Sequence, residues 1–333
     1  MTDSGLMIVM AYPETVVMVA DEWYSPYLKY FGIGKKNYVR AGHAALVLIN
    51  KATGELEYHD FGRYITPEPH GRVRGKDTDH ELDFPLKAHL NGNTISNLEE
   101  ILIYLGTHPR QTHGDGKLIA SVCDAIDYEE ARKHINRMQK RDFIRYAAFI
   151  EDGCNCARFV TGALIAAVTD KKLKKRLIRS TWFTPSTIGN VVIADTMNHV
   201  YEVSPEGAIS EFTSNTRREN RKYFLDRLKG HNSDFIGTLR PKPVDGLSSH
   251  AQWLGGIAAG AWFELYETDT ELVFRFRRVS PYGHIDVNGL YRVDDHGFVY
   301  SETFTFIHYS NCKFFHIEQY GNNFRFELIE KIS

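Results

Sequence analysis

The chain has 333 residues, 43% hydrophobic and 13% aromatic, with 40 Lys+Arg against 42 Asp+Glu for a formal net charge of -2. That length and apolar content suit two packed domains and exclude a disordered chain. The near-neutral balance provides no basic field for nucleic acid or an anionic membrane, so neither partner is expected.

The opening MTDSGLMIVMAYPETVVMVADEW is broken by Pro13 and Glu14 and carries no early Lys or Arg, unlike a secretory leader. No apolar run reaches membrane-spanning length. A cytoplasmic location is therefore expected, with Cys123, Cys154, Cys156 and Cys312 free and reduced. GLMIVMAY reads as a strand, and GHAALVLI, apolar on both faces, as a buried one. Asn50–Gly54, NKATG, reads as a turn, and ELEYHDFGRY as the returning arm of a hairpin. YITPEPHGRVRGKDTDHELDFP has no period and is expected to be a long surface loop, in which Arg72 and Arg74 could clamp a substrate carboxylate or phosphate.

From about residue 96 to 150 the pattern turns helical, starting at a capping-box-like Ser96-x-x-Glu99, and Cys123 falls inside this helical insert. The basic run Lys171, Lys172, Lys174, Lys175, Arg176 and Arg179 has no aromatic interleaving and reads as the solvated face of a helix. NVVIADTMNHVYEVSPEGAISEF reads as a lone hairpin. From Phe235 onward, WFELYE, ELVFRFRRV, HIDVNGLYRV, FVYSETFTFI, KFFHIEQY and FRFELIEKI read as strands of an antiparallel barrel or sandwich, with Phe274 and Phe276 alternating against Arg275 and Arg277. Domains are expected at 1–235 and 236–333, with the boundary segment at Thr238–His250.

Candidate chemistry centres on EDGCNCARFVTGALIAAV. A Cys154–Cys156 disulfide would close a very small ring with poor geometry. Cys-x-Cys also lacks the usual zinc spacing and has no second pair nearby. Cys156, Phe159, Val160, Ala163, Leu164 and Ala167 follow helical spacing, which puts Cys156 in the first turn of a helix and on its buried stripe. Helix N-termini favour thiolate over thiol. A nucleophilic cysteine needs an imidazole and a group to orient it. Among 15 histidines, His43 starts a buried strand and His59 lies on the returning arm at even spacing, so both are expected on one face, with Asp60 on the other.

Gly42-His43 before AALVLI, a second histidine on the next strand and Asn155-Cys156-x-x-Phe159-Val160-Thr161 together resemble the circularly permuted papain-like cysteine hydrolases. That group includes permuted relatives of the NlpC-type cell-wall amidases and of the lecithin:retinol acyltransferases. The resemblance implies an α+β fold, a permuted papain-like (NlpC-like) domain with a helical insert, followed by the antiparallel β-rich C-terminal domain. It implies Cys156 as nucleophile, His43 as base and then acid, His59 as orienter, and the Cys156 N–H in an oxyanion hole. Arg158 stands where the acyltransferases carry a histidine, and the hairpin loop is longer than usual.

The expected function is thus a cysteine-dependent hydrolase or acyltransferase acting on an amide, ester or thioester in a small-molecule, peptide or acyl substrate, with no cofactor and no resident metal. The alternatives are a non-catalytic binding protein on the same scaffold, or a metal-binding module built from His43, His59, Cys154 and Cys156.

Overall fold

The computed structural model describes residues 2–35, 37–229, 241–242, 244–257 and 259–332. The chain divides into one unit of Met1–Gly62 and Phe84–Asn232 and a second of Arg63–Asp83 and Ser233–Ser333. The second unit is therefore not contiguous in sequence, as the expected 235/236 division would have it, because it takes in the segment read as a surface loop. The expected boundary itself falls among residues 230–240, outside the described residues, as does part of Thr238–His250.

The first unit is built on an antiparallel sheet. Its strands are β1 (Gly5–Tyr12), β2 (His43–Asn50), β3 (Leu56–Gly62), β5 (Leu118–Ile126), β6 (Tyr201–Val203) and β7 (Ile209–Glu211), β4 (His70–Arg74) belonging to the second unit. They lie side by side in the order β3-β2-β1-β5-β6-β7. Every residue of β1 is buried, and so is β2 up to its last residue, which accounts for their unbroken apolar runs. Strand β5 replaces part of the expected helical insert. LIASVCDAI is apolar on both sides and too short for its period to separate helix from strand, and it pairs with β1 at the sheet centre, carrying Cys123 with it.

Helices α1 (Leu98–Thr107), α2 (Tyr128–Gln139), α3 (Cys156–Ala167), α4 (Lys171–Ser180), α5 (Thr187–Ala194) and α6 (Thr216–Phe224) complete the unit. Helix α1 begins without the capping box: Ser96 donates to the His89 carbonyl instead, and Asn97 takes the cap position. Helix α4 buries Leu173 and Leu177 and has Asp170 accepting from the Lys172 and Leu173 N–H groups, so its basic residues flank a narrow apolar stripe. The stretch NVVIA lies in helix α5, and only Tyr201–Glu211 forms the lone hairpin.

In the second unit β8 (Gln252–Gly255), β9 (Gly260–Glu267), β10 (Val273–Val279), β11 (Ile285–Val293), β12 (Thr305–Ile307), β13 (Phe314–Gln319) and β14 (Asn322–Lys331) run in the order β8-β9-β10-β11-β14-β13-β12. The Gln252 side chain donates to the Phe304 carbonyl at 3.0 Å and accepts from the Phe306 N–H at 2.9 Å, tying the two edges into a barrel-like form. Its core is aromatic, with Phe276 stacked on Phe315 at 4.2 Å and Phe315 on Phe326 at 4.6 Å. Phe274 and Phe276 face inward while Arg275 and Arg277 do not, as the alternation predicts.

The same alternation sends Arg278 inward, where it is 1% exposed. It meets Asp79 at 3.3 Å, Glu81 at 2.9 Å and Asp286 at 3.0 Å. Arg72 forks onto both Asp79 oxygens at 2.6 and 2.7 Å, and Arg74 lies 3.7 Å from Glu81 and 3.9 Å from the Tyr64 ring. Burial works to raise the Asp79 carboxyl, but Arg72 and Arg278 outweigh it and hold it well below the usual range. Arg278→Met should cost about 3–5 kcal/mol, seen as a lower urea midpoint, because it strips the shared cation from three carboxylates. A midpoint equal to wild type would show that the cluster contributes nothing net.

Candidate active site

Gly42 leads the chain into β2 with φ +76°, a left-handed conformation open to glycine, and a Cβ there would lie 3.1 Å from the Pro13 Cα, the Tyr12 carbonyl oxygen and Thr187 Oγ1. His43 follows directly, paired in register with Tyr12. Its Nε2 lies 3.1 Å from Asp60 Oδ2. Asp60 is fully buried, and Tyr58 Oη stands 3.1 Å from the same oxygen and 3.1 Å from the Thr112 carbonyl. His43 also hydrogen-bonds the Cys156 thiol. With Nε2 turned to Asp60, Nδ1 is the ring nitrogen left for that sulfur.

Cys156 is the first residue of α3. Asn155 caps the helix, its side chain accepting from the Arg158 N–H at 2.9 Å. As the first helical residue, Cys156 has an N–H with no acceptor inside the helix. A buried pair holds the helix start against α5: Asn190 Nδ2 donates to the Ala157 carbonyl at 2.8 Å, and Thr161 Oγ1 lies 2.7 Å from Asn190 Oδ1. Cys156 and Asn155 both line a cavity of about 880 Å3 in this unit.

Burial alone would lower the affinity of His43 for its proton. The hydrogen bonds to Asp60 and Cys156, with the negative charge those groups carry, outweigh burial and raise the value from 6.5 to about 9. Burial pushes Cys123 and Cys154 up to about 12 and Cys312 higher still. All four cysteines are free.

The structure thus brings together Cys156 and His43 but not His59. In the hairpin, Ala45 faces Asp60 and Leu46 faces His59, so His59 points to the sheet face opposite His43. The reason is parity. A five-residue turn at 50–54 would put both histidines on one face, whereas the closing pair Ile49 and Leu56 adds Glu55 to the loop and inverts every later side chain. His59 instead sits 3.8 Å from Glu57, which also accepts from Tyr128 and from Arg132 at 3.2 Å. The four-residue metal set of His43, His59, Cys154 and Cys156 is accordingly split between two faces, and no group of three or more His, Cys, Asp or Glu converges as a metal site among the described residues. Arg72 and Arg74, expected as a substrate clamp, are instead buried in the ion pairs of the second unit.

A cysteine at a helix start, backed by a strand histidine that leans on a buried carboxylate, fits the papain-like superfamily. Residues 7–173 match the family described as type VI secretion system effector TseH-like, and residues 251–329 match the DUF6695 C-terminal domain. The first match spans half of the chain and includes His43, Asp60 and Cys156, and this chain belongs to the TseH-like effector family. The crystal structure of the type VI secretion system effector TseH aligns at 16% identity and a TM-score of 0.38, covering 63% of this chain and 99% of that one. Among curated proteins none matches.

Proposed function

We propose that the first unit is a permuted papain-like cysteine hydrolase or acyltransferase acting on an amide, ester or thioester carbonyl. The observation that carries this reading is the position of His43, hydrogen-bonded on one side to Asp60 and on the other to Cys156 at the cavity wall. His43 takes the thiol proton and Cys156 Sγ attacks the carbonyl carbon. In this reading the Cys156 N–H, which has no acceptor inside the helix, donates to the oxyanion. Collapse of the tetrahedral intermediate expels the leaving group, which receives its proton from His43, and forms a thioester that water or a second acceptor resolves. Asp60, rather than His59, holds the imidazole. No cofactor enters these steps.

No helix among the described residues is long and apolar enough to cross a membrane. Four free cysteines suit folding in a reducing cytoplasm. Secretion of the kind named by the family would then carry the folded or refolding chain to its place of action.

The reading is tested by limiting iodoacetamide at pH 6 followed by peptide mapping. Cys156, in a cavity beside His43, should be labelled first, ahead of the three cysteines buried elsewhere. Equal labelling of all four, or labelling led by Cys154, would remove the nucleophile assignment.

A further inference from the structure

The cavity at Cys156 is walled by a chain of aromatic rings. Trp23 contacts Tyr24 at 5.9 Å, Tyr24 contacts Phe149 at 5.3 Å and Phe149 contacts Phe183 at 4.9 Å. All four line the cavity, yet Trp23 is 75% exposed and Phe183 76% exposed. Rings so exposed add little to the core, and together they keep a contiguous apolar surface in water beside a nucleophile. Among the described residues that line the cavity there is no Asp or Glu, and Arg40 is committed to Asp226 at 2.9 Å and to the Glu14 carbonyl at 2.6 Å. A cationic substrate would find no carboxylate partner here, whereas an apolar one would cover the rings and gain from their area.

We infer that the acyl side of the substrate carries a bulky apolar group that lies along the Trp23–Tyr24–Phe149–Phe183 wall while its carbonyl sits at Cys156. This inference rests on the thiol-hydrolase reading for its reacting end and on the ring wall for its specificity. Each methylene laid against the wall should raise kcat/KM about fourfold until the wall is covered.

Two measurements test it. The first compares p-nitrophenyl esters from acetate to decanoate: kcat/KM should climb with chain length, and Trp23→Ser and Phe183→Ser should flatten the climb. Tyr320→Ser, an equally exposed ring of the second unit at 72%, should leave the slope as in wild type. The second titrates 11-(dansylamino)undecanoic acid against Cys156→Ser. Its fluorescence should rise to saturation, with affinity at least tenfold weaker once either Trp23 or Phe183 is also replaced by Ser. Both substituted rings are exposed, so loss of fold does not confuse the result. A Cys156-dependent ester rate that is flat in chain length, with probe binding indifferent to the ring substitutions, would overturn the apolar subsite and leave the hydrolase standing. Ring-dependent probe binding without any ester turnover or thiol labelling would do the reverse.

Discussion

His43→Ala will lower kcat/KM by about 10^3-fold or more on any substrate the protein turns over, and Cys156→Ala will do the same. The basis is geometric. His43 is the ring that contacts both the thiol and a buried carboxylate, and Cys156 supplies the sulfur at the cavity wall. Because the two act as one unit, the double variant should be no slower than either single one, a non-additivity that two independent structural residues would not produce. Steady-state rates on the three variants check this, with urea unfolding to separate chemistry from stability. A His43→Ala enzyme retaining a tenth of the wild-type rate would exclude His43 as the base.

Asp60→Asn will cut turnover by about 10^2-fold or more, while His59→Gln will stay close to wild type, the opposite ranking to that expected from histidine spacing. Asp60 also sets the pH range. Thiol acylation needs the His43 proton for the leaving group, so kcat/KM should fall as pH rises through about 9, the value to which Asp60 and Cys156 raise His43 against the effect of burial. Removing the Asp60 charge should move that alkaline limb down by roughly 1–3 pH units. The same shift has a stability consequence. The folded value lies above the unfolded one, so the stability contributed by protonated His43 is complete below pH 6.5 and is lost as pH rises through about 9. An alkaline limb unmoved in Asp60→Asn, or a His59→Gln variant as impaired as Asp60→Asn, would restore His59 as the orienting group.

The contrast between Asp60 and His59 shows where the sequence was legible. Apolar runs longer than chance mark β1 and β2, and period-2 alternation marks the aromatic strands of the second unit, because burial on two faces or on one leaves a direct imprint on residue order. The Cys156 helix was equally readable, since its 3.6-residue stripe is local. Sequence by itself therefore determined these particular elements and singled out two residues whose local settings are distinctive, Cys156 at a helix start and His43 after Gly42. Tertiary structure decided the rest. One residue of loop length, Glu55, is invisible to periodicity within either strand, yet it turns His59 from one sheet face to the other and places Asp60 against His43. Pairing across long separations likewise took LIASVCDAI into the sheet beside β1. It also drew Arg72 and Arg74 from an apparent surface loop into ion pairs with Asp79 and Glu81, carboxylates that also pair with Arg278 from some two hundred residues away. A charged side chain reads as solvated in sequence, and only the partner that folding delivers can make its burial tolerable.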